Sequence, residues 1–166
     1  TRRSFPDRIA IDYDLRVLKS NGLVITFLAM QGLKGEHFLD PGLPKRAGIF
    51  MDYVGKDAPL KSYHVSISRY NDKGEHTGVS NWRRNPGLHL AAQGDDLCKE
   101  VGRWYHIRLI KDGPRLQLHV DGKLAHDFTD PQTLPLPLPT EGVIGFRAIG
   151  SEVQAEVRSF TVRALE

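Results

Sequence analysis

WYHIRLIKDGPRLQLHVDGKLAHDF, residues 104–128, is the stretch whose reading decides the fold. Tyr105, Ile107 and Leu109 alternate with Trp104, His106 and Arg108, and Leu116, Leu118 and Val120 alternate with Gln117 and His119. Successive side chains of a strand point to opposite faces, so a period of two marks a half-buried strand. Lys111-Asp112-Gly113-Pro114 turns the chain between the two runs. Asp121-Gly122 is a two-residue hairpin signal, because both types tolerate the positive φ such turns need, and 123–128 is the return strand.

The same period extends in both directions. Ile9, Ile11, Tyr13, Leu15 and Val17 alternate with Ala10, Asp12, Asp14 and Arg16. Ser20-Asn21-Gly22 predicts a turn, and 23–30 is apolar on both faces, as in a strand covered on two sides. Residues 31–45 are rich in glycine and proline and carry Glu36, His37 and Asp40, which marks a candidate functional loop. Alternation predicts strands at 47–53 and 64–68, joined around Gly55-Lys56-Asp57. Residues 71–78 predict a turn, and 81–98 predict irregular loop with short strand. Four prolines between 131 and 139 exclude a central strand there. Strands follow at 144–148 and 153–162, the second changing phase, which predicts a bulge near Arg158-Ser159. No window has the 3.6-residue period of a helix. Some nine short strands predict an all-β sandwich or jelly roll of two antiparallel sheets, with 1–166 as one domain.

Composition narrows the function. The chain has 166 residues, 40% of them hydrophobic and 26% charged, enough to bury one core without metal or disulfide. Cys98 is the only cysteine, so there is no intrachain disulfide. The 23 basic residues exceed the 20 acidic ones by three and are scattered singly or in pairs. That is no nucleic-acid signature, but it favours an anionic ligand. No stretch reaches the ~18 apolar residues of a membrane helix, and no secretory signal is visible. No nucleic-acid or membrane partner is therefore expected. Neither is a cofactor or metal: there is no phosphate-binding glycine loop, no G-x-S-x-G elbow and no zinc spacing among the seven histidines.

Trp104 to Leu109, Val120-Asp121-Gly122 and Ile144-Gly145-Phe146-Arg147 together resemble the concanavalin A-like jelly roll, a fold that hosts lectins, hydrolases and lyases alike. A narrower likeness rests on Phe5-Pro6-Asp7, Asp40-Pro41, Lys45-Arg46-Ala47-Gly48-Ile49, His64-Val65-Ser66, the run from Asn81 to Gly94, and Leu109-Ile110-Lys111-Asp112-Gly113-Pro114. These are similar to the YesU-like family, a bacterial group carried as a domain of unknown function. The chain departs from that pattern at Phe50, Met51 and Asp52, where the family has a tyrosine and two glutamines. The resemblance implies a glycan-related role, because members are encoded beside enzymes that degrade pectic and other acidic polysaccharides. The family also begins with further sequence ahead of Phe-Pro-Asp, including a first strand. The expectation is an open edge beside 7–18, filled by a second chain or segment.

Alternation sorts candidate site residues. If Ala47, Ile49, Met51, Val65 and Ile67 point between the sheets, then Arg46, Phe50, Asp52, His64, Ser66 and Ser68 share the other face. That face is the glycan groove of concanavalin A-like enzymes, or else a plainly solvated sheet surface. Arg46 and His64 are the best pair: a guanidinium to hold a uronate carboxylate and an imidazole to move a proton. Tyr53 is a second proton-transfer candidate. Asp52, Arg69, Asn81, Arg83, His89 and Arg147 are the expected substrate-binding residues, with Trp82 and Trp104 as sugar-stacking alternatives. Retaining glucanases of this fold need two carboxylates ~5 Å apart on an E-x-D-x-x-E strand, and no such run exists here. The inventory suits a polysaccharide lyase or related glycosidase acting on an acidic plant or algal glycan. The alternative is a non-catalytic carbohydrate-binding module.

Overall fold

The computed structural model describes residues 1–166. Its elements are β1 (Ile9–Gly32), the single helical turn α1 (Met51–Val54), β2 (Leu60–Ile67), β3 (Val79–Asn85), β4 (His89–Asp95), β5 (Trp104–Asp112), β6 (Arg115–Val120), β7 (Lys123–Thr129) and β8 (Val143–Ala164). Every strand pairing is antiparallel.

Two strands are shared by both layers of the sandwich. The first half of β1 pairs with β5 over Ile9 to Arg16, and the second half pairs with β2 from Val24 to Gly32. β8 follows the opposite edge of β1 along nearly all of its length. One sheet therefore runs β7-β6-β5-β1-β8 and the other β4-β3-β2-β1-β8. The expected turn at Ser20-Asn21-Gly22 is a bend inside a continuous strand, opposite a matching bend in β8. Gly22 and Gly150 are register partners there, and a Cβ on either would run into the other strand's backbone. The two final strands of the sequence reading are one strand for the same reason.

The core lies between the sheets and draws on the predicted inward positions, among them Ile11, Tyr13, Leu15, Val65, Ile67, Ile107, Leu109, Leu116 and Leu118. Trp82 joins it with no exposed surface, so it is core and not a sugar platform. Trp104 lies under the guanidiniums of Arg16 and Arg158, 4.7 and 3.9 Å from its ring centroid. The Asp121-Gly122 hairpin forms with φ of 51° and 77°, and Ser159 sits at φ 55° where the β8 register slips against Asp12 and Asp14. Residues 131–139 contain no strand.

Three expectations are corrected. Residues 47–53 form no strand: Ile49 is 61% exposed and the segment is loop ending in α1. Residues 81–98, expected to be irregular, contain most of the β3–β4 hairpin. The strand at 7–18 has no open edge, because it is paired on both sides. The unpaired edge belongs to β8, whose only partner is β1. Phe146 and Val157 point between the sheets there, with Phe146 edge-on to Tyr13 at 5.0 Å, yet they remain 39% and 37% exposed.

Candidate functional site

Register sets the outer face of the second sheet. Phe27, His64, Arg83 and Leu90 form one cross-strand row, and Arg147, Ile25, Ser66, Asn81 and Gln93 form the next. Leu90 on β4 is 54% exposed, but the β1 and β2 portion of this face is not solvated. Residues 33–59 fold back over it and pack Phe38, Leu43, Phe50, Tyr53 and Val54 against Ile25, Phe27, Met30, Leu60 and Val143, making a second apolar cluster. Apolar side chains at Ile25 and Phe27 explain the double-sided hydrophobicity of 23–30: one face meets the inner core and the other meets this cover.

Beside the cover lies a cavity of about 280 Å³. Its floor is His64, Ser66, Asn81, Arg83 and Arg69; its walls are Leu23, Ile25, Phe50, Leu88 and Ile149. No carboxylate lines it. His64 is 2% exposed, with the Phe27 and Phe50 rings 5.2 and 6.2 Å away. Burial, aided by the Arg83 charge, pushes its pKa down to about 3, so the imidazole is neutral at physiological pH. Its Nδ1 lies 2.9 Å from the Asn85 amide nitrogen, which also donates to Ser62 Oγ at 2.9 Å. With Nδ1 accepting, the proton sits on Nε2.

The cations of this face stand out by what they lack. Eight of the fourteen arginines hold a carboxylate. Apart from Arg2 and Arg3, the arginines with no such partner are Arg46, Arg69, Arg83 and Arg147, all on or over the outer face. Arg83 donates to Leu88 O at 2.6 Å and Arg69 to Val79 O at 3.1 Å. The Arg69 Nε has no partner, and burial lowers the Arg69 pKa, with Asp96 opposing. The Asn81 amide bridges Gln93 and Arg69, 2.8 and 2.9 Å from them.

A family model described as a domain of unknown function, DUF1961, matches residues 1–162. The chain belongs to the DUF1961 family. The DUF1961 chain is 31% identical over 163 residues to the protein YesU of Bacillus subtilis (strain 168), across 96% of this chain and 73% of YesU. A Bacillus subtilis protein of unknown function with a galectin-like fold matches its structure with TM-score 0.89 at 29% identity, covering 99% of this chain and 75% of that one. The carbohydrate-binding module CBM66 from Bacillus subtilis matches with TM-score 0.61 at 14% identity, over 98% and 78% of the two chains, a likeness of fold. The YesU-like resemblance and the jelly-roll sandwich are both confirmed.

Of the nine expected site residues, the DUF1961 fold brings His64, Arg69, Asn81 and Arg83 into the cavity. Arg147 borders it, its guanidinium 5.5 Å from the Phe50 ring centroid and donating to Gly48 O at 2.8 Å. The pairing of Arg46 with His64 is corrected. Arg46 is on the cover, not on a strand beside β2; it stacks 4.7 Å over Phe38 and donates to Phe38 O at 2.7 Å. Asp52 accepts from Ala47 N at 2.8 Å and shares a separate hollow with Arg46. Tyr53 stacks on Phe38 at 6.3 Å and lines another hollow, with Phe27 and Phe146. His89 lies beside Arg84 and Asp130 in a third. Arg46, Asp52 and Tyr53 lie on the cover, where no strand phase holds, and His89 opens β4 as the register partner of Arg84. Asn85 was missed, although it stands in a stretch that carries the family resemblance; Ser66 and Phe50 were placed on the groove face and given no role.

Proposed function

We propose that this chain is a carbohydrate-active protein that binds an anionic sugar unit in the cavity over β2 and β3. The observation that carries the reading is the convergence of Arg69 and Arg83, neither holding a carboxylate, on a pocket with a neutral histidine, a serine, an asparagine and apolar walls. A uronate offers a carboxylate for the guanidiniums, hydroxyls for the uncharged polar groups, and an apolar ring face for Phe50, Leu88 or Ile149. The fold shared with CBM66 supports a glycan as the ligand class.

Elimination is the second reading. It is favoured by the placement of His64 between Asn85 and the cavity. Turning the Asn85 amide over makes Oδ1 the acceptor for Nδ1–H and frees the Nε2 lone pair. Nε2 would take the C5 proton while Arg69 and Arg83 hold the carboxylate; the C4–O bond breaks, C4 and C5 become doubly bonded, and the proton passes from Nε2 to the leaving oxygen, which returns His64 to its neutral form. A conjugate-acid pKa near 3 makes a weak base, so the geometry supports binding ahead of turnover. Hydrolysis by paired carboxylates has no acidic group in the cavity to use. We also propose that a strand from a second chain or segment covers the open β8 edge.

The test is calorimetric titration with uronate oligosaccharides, alongside absorbance near 235 nm for an unsaturated product. Binding by the native chain that falls ~10-fold or more in Arg83→Ala, as loss of a charged hydrogen bond implies, supports the site. Equal binding by both proteins places the ligand elsewhere. Growth of the absorbance, abolished in His64→Gln, would establish the lyase reading.

A further inference from the structure

Asn81 is a neutral side chain in a place that invites a charged one. It is 4% exposed, pairs in register with Ser66 on β2 and Gln93 on β4, and lies two residues before Arg83 on the same face of β3. With Oδ1 turned to Arg69, its amide accepts from Nη1 at 2.9 Å, and its nitrogen faces the Gln93 amide at 2.8 Å. The same Arg69 nitrogen donates to Val79 O, and Arg83 donates to Leu88 O. The acceptors that hold these two guanidiniums are therefore an amide oxygen and two main-chain carbonyls, none of them charged. Asp96 acts on Arg69 through space, but its carboxylate is buried and turned to the Arg69 and Cys98 main-chain N–H groups and to His76.

We infer that Asn81 sets the charge selectivity of the cavity: it fixes the Arg69 guanidinium by a hydrogen bond and leaves its charge to an anionic ligand. The inference rests on the anionic-sugar reading above and adds to it a positioning residue that acts through Arg69. Aspartate has the shape of asparagine and would reach Arg69 from the same place. It would form an ion pair there, stronger than the neutral bond it replaces. A ligand carboxylate would then have to displace a partner that is already in position and covalently part of the chain. An amide orients the guanidinium without that competition.

The experiment is isothermal titration with trisaccharides of galacturonate, glucuronate and mannuronate, each as the free acid and as its neutral methyl ester. The native protein is expected to bind at least one acid tenfold or more tightly than its ester. In Asn81→Asp that ratio is expected to fall to within threefold of one, the loss being on the acid, while the thermal midpoint holds or rises. Asn81→Ser removes the hold on Arg69 and adds no charge. It is expected to weaken binding of the acid about fivefold, and less than twofold when Arg69→Gln is already present, since residues that act through one another are not additive. This second comparison buries no new charge, so it decides the matter even where Asn81→Asp fails to fold. A ratio that stays tenfold or more in Asn81→Asp overturns the role of Asn81 and leaves the anionic-sugar reading intact. So does an Asn81→Ser variant with no loss, or with a loss that persists in the Arg69→Gln background. Acid and ester bound equally by the native protein, or neither bound, overturns both.

Discussion

His64 shows how a single residue changes meaning with its surroundings. On an open sheet face its replacement would cost little stability. Beneath Phe50, with Asn85 donating to it, His64→Ala leaves the buried Asn85 amide with only one of its two acceptors, Ser62 Oγ, and a hole against Phe27. The expected loss is about 1–3 kcal/mol, read from urea denaturation, with sugar binding lost as well. Unchanged stability would mean the imidazole is not packed as described. The same burial sets a pH dependence. The folded pKa is depressed to about 3 from an ordinary 6.5, so the unfolded chain takes up the proton first on acidification. His64 thus contributes stability fully above pH ~6.5, and the contribution drains away as the pH falls toward 3, at up to about 1.4 kcal/mol per pH unit. His126, buried and 2.6 Å from Ser80 Oγ, is shifted in the same direction and adds to the slope. His64→Asn is expected to flatten the fall in thermal midpoint between pH 6.5 and 4; an unaltered slope would exclude His64 as its source.

At the scale of the element, the shared strands β1 and β8 decide the architecture. Each passes from one sheet to the other by bending at a glycine, and the two glycines face one another. Gly150 has φ 147° and lies against Asn21 O, so neither the backbone conformation nor the space admits a side chain. Gly150→Ala is expected to cost about 2–4 kcal/mol, whereas Gly122→Ala, at a hairpin turn with open space around it, costs about 1 kcal/mol. Equal midpoint losses for the two variants would refute the close approach of β1 and β8. Much at this scale was legible in the sequence. The hairpin at Asp121-Gly122, the bulge at Ser159 and the proline break after 130 are all set by residues within two or three positions of one another. Residues 47–53 were misread because four alternating apolar residues satisfy the strand pattern by themselves, while whether a ladder forms depends on a partner strand that is not there.

Across the whole molecule, the sandwich is finished on one side and unfinished on the other. On the far side β4 and β7 approach one another, His126 reaching Ser80 and crowding Gly94. Along β8 the inner row of Phe146, Val153, Ala155 and Val157 lines an opening instead. A strand laid on this edge would cover apolar surface and satisfy a long row of backbone groups at once. Hydrogen exchange reads the difference. In the 166-residue chain alone, the β8 amides that point away from β1 are expected to exchange within the dead time of the measurement, while their β1-facing neighbours are protected. Strong protection of both sets would show a strand already seated there. Period two, turn chemistry and the absence of helical periodicity are local properties, carried by neighbours in the chain, and they determined the all-β class, most of the inner core and the common face of His64 and Ser66. Which face of the second sheet is covered, that Arg46 and Tyr53 lie on the cover, and that Arg69 and Arg83 line one pocket were decided only by tertiary structure. The cover is held by contacts between residues far apart in sequence, Phe50 with His64 and Arg147 with Gly48, and burial of that kind leaves no period in the chain to read.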